Sequence, residues 1–217
     1  MKTIQACFVL AYMYMRLLEL CSSTGSVGSA FASAGWDVVS LDSDPKTEAT
    51  IHEDILTWDR ATYPPRHFDV IWSSPCCAHC SRARRGAKTP RNLVWADSLV
   101  IRTLANYRLF STSRVVYRKP QTRMLKDRGF MDGKPYADLD YCCYCSWGYR
   151  KRTRLWSNVN FTGKLCPGPG SCQNMENGKH KTKAQQGRNR CNTGLRGAHF
   201  AQQPSHKIPQ TYATKLF

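Results

Sequence analysis

The sequence predicts an α/β domain built on a doubly wound, mostly parallel sheet. Three observations lead there. Short apolar runs alternate with a segment of helical spacing, the pattern of strand–helix–strand units. A glycine-rich turn joins the first apolar run to a helix and then to a second strand that ends in an acid. The length of 217 residues and hydrophobic content of 41% suit one such core with a small appended lobe.

The elements follow in order. Leu17–Cys21 reads as a first strand, Ala30–Ala34 as a helix, and Asp37–Leu41 as a second strand ended by Asp42. Ile51–Ile55 reads as a short third strand and Phe68–Trp72 as a fourth, broken by Ser-Ser-Pro. Thr89 is the expected cap, and Pro90 the first residue, of a helix whose Trp95, Ala96, Leu99, Val100, Thr103, Leu104 and Tyr107 share one face. Arg114–Tyr117 is a fifth strand, which Pro120 is expected to stop because it lacks an N–H. Tyr141–Tyr144 and Arg154–Trp156 read as later strands. From about residue 160 to 207, Gly, Asn, Gln, Lys and Arg dominate, marking a small basic irregular lobe. The expected division is a core over 1–158, the lobe over 159–205, and a terminal helix over 206–217 that returns to the core.

Net charge is +17, unevenly spread. Residues 1–60 hold four Lys/Arg and eight Asp/Glu, and the remainder holds 28 and seven. An acidic front with a strongly basic rest suits a small cationic ligand at one end and a polyanion, nucleic acid above all, at the other. The N-terminal MKTIQACFVLAYMYM is apolar, but no small-residue cleavage site follows and it is too short to span a bilayer. It reads as a helix packed on the sheet of an intracellular, monomeric protein with no membrane role. Eleven cysteines without a leader argue for reduced thiols, metal ligation or catalysis rather than a disulfide framework.

The front motif, LLELCSSTGSVGSAFASAGWDVVSLDSD, is a cofactor cradle in pattern. Gly25 and Gly28 would let a ligand approach the backbone, beside Cys21 and Ser22. Asp42, 17 residues after Gly25, would take a ribose hydroxyl pair, and Asp54 the adenine amino group. No Lys or Arg lies between Arg16 and Lys46, and Glu19 precedes the loop. A pyrophosphate would be served poorly there, and a cationic nucleoside such as S-adenosylmethionine well.

After the fourth strand comes SSPCCAHCSRARR. Here the chain resembles the cytosine-C5 DNA methyltransferase family, in its compact phage and large-virus branch, whose loop has the form Pro-Pro-Cys-x-x-aromatic-Ser. Pro75 matches the first proline, Cys76 stands in the place of the second, Cys77 takes the nucleophile's place, and Cys80 and Ser81 close the motif. The resemblance implies a Rossmann-like S-adenosylmethionine-dependent sheet, a flipped cytosine in double-stranded DNA, and attack of a thiolate at C6. Arg82, Arg84 and Arg85 would lower the thiol's pKa and meet phosphates. Cys76 as the nucleophile, or Cys76, Cys77 and Cys80 as metal ligands or core residues, stay open.

The resemblance extends to YCSWGYRKRTRLWSN, matching an Arg-x-Arg strand that places an Arg on the O2 edge of the base. Arg154 and Arg152 take those places. HKIPQTYATKLF resembles the last motif. In VVYRKPQT the chain departs from the family: Arg118 stands where the Glu of Glu-Asn-Pro holds the base, and Lys119 where the Asn ties down the nucleophile loop. Two cations there are expected to pair with a carboxylate on the donor, as in carboxy-S-adenosylmethionine, giving carboxymethylcytosine. Ordinary methylation of DNA, methylation of tRNA, and a non-catalytic DNA-binding relative are the other readings. Finally, Cys145, Cys166, Cys172 and His180 form a candidate zinc clip for the lobe, with Cys142 able to replace one ligand.

Overall fold

The computed structural model describes residues 15–76, 78–81, 88–110, 114–120 and 124–183. The expected N-terminal helix, the terminal motif, Cys77, Arg82, Arg84 and Arg85 lie outside them. Seven strands form one sheet: β1 (Arg16–Leu20), β2 (Asp37–Asp42), β3 (Ile51–His52), β4 (Val70–Ser73), β5 (Arg114–Pro120), β6 (Tyr136–Asp140) and β7 (Arg152–Ser157). Their spatial order is β3-β2-β1-β4-β5-β7-β6. The first five strands run parallel, and β7 is antiparallel to both its neighbours. The expected doubly wound sheet is therefore present, with the order reversing at β1.

Alternation along the strands sends each residue set to one of two faces. Leu17, Val70, Trp72, Val116 and Leu155 bury one face under Val27 and Phe31 of α1 (Ser26–Ser33). Leu18, Leu20 and Ile71 bury the other under Leu99 and Phe110 of α2 (Leu93–Phe110). Farther along that face, Tyr117 and Trp156 pack with Val100, Leu125 and Met131. Among the described residues, no helix is long and apolar enough to cross a membrane.

Four local expectations need correction. α2 starts at Leu93, and its cap is Asn92, whose Oδ1 accepts the Trp95 N–H at 2.9 Å, rather than Thr89. β5 does not stop before Pro120: that residue still pairs with Thr153 of β7. Its missing N–H is tolerated at the last position of the strand. Tyr141–Tyr144 is not a strand; Tyr141–Cys143 is a 3₁₀ turn closing β6. The strand lies just before it, in YADLD, whose two acids disguise it.

The lobe begins by running along the outer edge of β6. Asp140 N–H donates to Lys164 O at 3.0 Å, and Gly163 lies so close that a Cβ there would sit 2.1 Å from Asp138 O. Its described part includes a hairpin of β8 (Met175–Glu176) and β9 (Lys179–His180). Asn177 and Gly178, at φ 50° and 75°, make the turn that a two-residue hairpin requires.

Candidate active site

The glycine-rich loop leaves β1 through two non-glycine residues in the left-handed region, Cys21 (φ 56°) and Ser23 (φ 53°), before Gly25 (φ 60°). Such residues cost on the order of 1–3 kcal/mol each and cluster where a backbone must meet a ligand. Sequence reading had no signal for them, since neither residue type announces that conformation. Asp42 holds the loop: its carboxylate accepts the Ser23 N–H at 2.8 Å and the Asp44 N–H at 2.9 Å. Ser22 N–H donates to Leu41 O at 3.2 Å. Asp54 accepts the Leu56 N–H at 2.9 Å and remains exposed. Two accessible acids at the carboxyl ends of β2 and β3, with no cation in the loop, fit a cationic nucleoside.

Two predicted cradle residues have other duties. Glu19 is 2% exposed, and its carboxylate accepts the Gly28 N–H at 2.9 Å, bracing α1 against β1 from behind. A Cβ on Gly28 would lie 2.7 Å from that carboxylate and 3.1 Å from Val38 Cγ1. Helix–strand packing thus by itself requires a glycine at position 28. Burial pushes the Glu19 carboxyl up to about 7, against the opposing hydrogen bonds from Gly28 and Val27.

Cys21 is where the cradle and the reaction loop meet. Burial pushes its thiol up to about 12, and the ionisable groups that bear on it are Lys119, Asp42, Cys76 and Asp54. Residues predicted from three separate motifs, the cradle, the Pro-Cys loop and the Arg-Lys-Pro segment, therefore converge just beyond the ends of β1, β2, β3, β4 and β5. The Pro-Cys loop is pinned on both sides of Cys77. Before it, Lys119, itself 3% exposed, donates to the buried Pro75 carbonyl. After it, His79 O accepts from Arg91 at 2.6 Å and His79 Nδ1 accepts the Asn92 N–H at 2.9 Å. Cys80 is buried, as the aromatic's place demands, and its carbonyl accepts the Met124 N–H at 3.1 Å. Cys76 is exposed. Arg91 and Asn92 were not singled out in the sequence, and nothing local marks them.

Arg118 and Lys119, expected to act together, are placed on opposite faces of the sheet. Adjacent strand residues point to opposite faces. Arg118 lies on the α1 face, where its charge bears on Glu19 and Tyr149. Lys119 lies on the α2 face and is committed to Pro75. This placement does not favour a joint grip on one carboxylate.

Both arginines of the Arg-x-Arg strand are paired across to β6. Arg154 forms a fork on Asp138, with both contacts at 2.7 Å, and its guanidinium lies 3.6 Å above the Tyr136 ring. Arg152 forks on the fully buried Asp140 at 3.1 and 2.6 Å. Burial works against the Asp140 charge, but the Arg152 fork and the Cys166 N–H, at 2.9 Å, hold its carboxyl below the usual range. The register, Asp138 opposite Arg154 and Asp140 opposite Arg152, matches an Asp-x-Asp to an Arg-x-Arg. That complementary spacing becomes a signal only once the two strands are known to be neighbours.

The candidate metal set changes by one member. Cys142, Cys166, Cys172 and His180 come together, while Cys145 turns away and its Sγ donates to Tyr141 O at 3.2 Å. The turn over Tyr141–Cys143 and the residues after it separate the two cysteines.

No protein-family profile matches the chain. Its fold has distant likenesses among solved structures. One is a mutant of Spodoptera frugiperda DNMT2, at 14% identity over 70% of this chain and 53% of that one, with a TM-score of 0.43. Another is the methyltransferase EhMeth of Entamoeba histolytica, at 11% identity over 68% of this chain and 54% of that one, with a TM-score of 0.46. The chain spans about half the length of those proteins. A sequence relative is much nearer: a probable DNA (cytosine-5)-methyltransferase of Frog virus 3 (isolate Goorha), 35% identical over 175 residues. That match covers 75% of this chain and 79% of the relative. With that coverage, and with cradle, Pro-Cys loop and Arg-x-Arg strand on one sheet, the chain belongs to the DNA (cytosine-5)-methyltransferase family.

Proposed function

We propose that the chain methylates C5 of cytosine in double-stranded DNA, with Cys77 as the nucleophile. The observation that carries this reading is the Lys119–Pro75 hydrogen bond. It supports a Pro-Cys loop held beside Cys21, so that thiol and cofactor cradle share one end of the sheet.

Cytosine C5 is too weak a nucleophile to be alkylated unaided. Addition of the Cys77 thiolate at C6 converts the ring to an enamine with electron density at C5. After C5 gains its substituent, the C5 proton leaves to a base and the C6–S bond breaks. The electron pair of the C5–H bond restores the C5–C6 double bond, and the pair of the C6–S bond leaves on sulfur, so Cys77 departs as thiolate. S-adenosylmethionine, when bound, supplies the electrophilic methyl carbon. Asp42 would hold its ribose and Asp54 its adenine, while Arg154 would face the base's O2 edge through the donors not committed to Asp138.

Carboxymethyl transfer would require Arg118 alone to pair the donor's carboxylate, with Glu19 on the same face of the sheet. The methyl donor is therefore favoured. The test incubates the protein with duplex DNA or tRNA and with either donor, then weighs the nucleosides. Methylcytosine from DNA with S-adenosylmethionine supports the reading. Carboxymethylcytosine would overturn the donor, and a product only on tRNA the substrate. Cys77→Ala should abolish product and trapping on 5-fluorocytosine DNA. Full activity in that variant would transfer the role to Cys76.

A further inference from the structure

We propose that Cys142, Cys166, Cys172 and His180 bind one Zn²⁺ that fixes the lobe over 164–183 to the end of β6. Their ligand atoms all lie within 4.8 Å of one another. Cys166 Sγ is 3.6 Å and Cys172 Sγ 3.8 Å from His180 Nε2. A tetrahedral zinc with Zn–S of about 2.3 Å and Zn–N of about 2.0 Å places sulfur and nitrogen about 3.6 Å apart, which these separations approach. Three thiols and an imidazole are a donor set that selects a soft tetrahedral ion over Mg²⁺ or Ca²⁺.

The ligands are held by backbone that is already ordered around them. Cys142 sits in the turn after β6, and Asn174 Nδ2 donates to its carbonyl at 2.8 Å. The Cys166 N–H is held by Asp140, and the Cys172 N–H donates to Gly168 O at 3.1 Å. His180 is placed by the β8–β9 hairpin. The group therefore joins three short segments, at the spacing Cys-x23-Cys-x5-Cys-x7-His.

The described part of the lobe is held by hydrogen bonds but lacks an apolar core of its own. Among the described residues, none of the three apolar clusters reaches past Phe161, and Leu165 is 49% exposed. A segment without a core gains its folding free energy from metal binding. The three thiols must lose their protons to ligate, so zinc uptake releases protons and weakens as pH falls.

The test uses the full chain purified with reductant from zinc-supplemented cells. Elemental analysis should find one zinc per chain, and hydrogen exchange over 164–183 should accelerate when a chelator removes it. Cobalt substitution should give a tetrahedral spectrum with thiolate charge transfer. Cys142→Ser should lose the metal, and Cys145→Ser should keep it. His180→Cys guards against simple misfolding: it should retain the metal with stronger charge transfer. Less than about 0.5 zinc per chain, with no cobalt spectrum, would overturn the site. Equal loss in the Cys142 and Cys145 variants would overturn the ligand set, and unchanged exchange in chelator would overturn the role. None of these readouts depends on methylation.

Discussion

Lys119 Nζ donates to the carbonyl oxygen of Pro75, joining the buried end of β5 to the loop that carries Cys77. A long cation thus reaches this loop from the position where the resemblance implies an amide. Lys119→Met keeps the bulk and removes the donor. We expect about a hundred-fold loss of kcat with little change in binding of S-adenosylmethionine, because the thiol rather than the cradle loses its place. Single-turnover kinetics alongside calorimetric titration would check it; retained kcat would show that the loop needs no such tether.

Glu19 makes stability depend on pH. Burial raises its carboxyl from 4.5 to about 7 in the folded chain. Between those values the folded state holds a proton that the unfolded chain has released. Stability should therefore be fully present below about pH 4.5, fall as pH rises through about 7, and level off above. The slope from this group is at most about 1.4 kcal/mol per pH unit. Glu19→Gln keeps an acceptor for the Gly28 N–H and should flatten that slope in denaturant melts. An unaltered slope would assign the effect to another group.

Gly163 admits no side chain, because its Cβ would lie 2.1 Å from Asp138 O. Gly163→Ala must push the strap off β6. A destabilisation of about 2 kcal/mol or more is expected, read as a lower Tm. Wild-type melting would mean that the strap shifts at no cost.

Arg154 combines a fork on Asp138 with stacking on Tyr136. Lysine reproduces neither the planar fork nor the stack. Arg154→Lys should therefore lower kcat/KM by about ten-fold or more, with the loss carried over to Asp138→Asn only in part. Steady-state kinetics on one duplex would separate the two; equal activity of Arg154→Lys and the parent would remove Arg154 from the base's surroundings.

The parallel half of the sheet was readable because strands buried on both faces are continuous apolar runs, as in β1 and β4. β6 was not, because its Asp138 and Asp140 only make sense opposite Arg154 and Arg152 of a strand that comes later in the chain. Spacing alone was enough to mark Asp42 and Asp54 as acids at strand ends, but the mutual packing of Glu19 and Gly28 left no trace in the sequence. The opposite facing of Arg118 and Lys119 follows from the period of two, and was overridden by their adjacency in sequence. The exchange of Cys145 for Cys142 depended on a 3₁₀ turn that spacing alone does not distinguish from a strand.

The strap over β6 has a consequence for how the molecule behaves among copies of itself. An open sheet ends in two rows of unsatisfied backbone groups, and each invites another chain to add a strand. Here one border is β3, only two residues long, and the other is lined by the Gly163–Lys164 backbone. Among the described residues, neither border offers a long template. Along these described borders the sheet is thereby guarded against fibre-like stacking, and the guard at β6 is a glycine and a carbonyl.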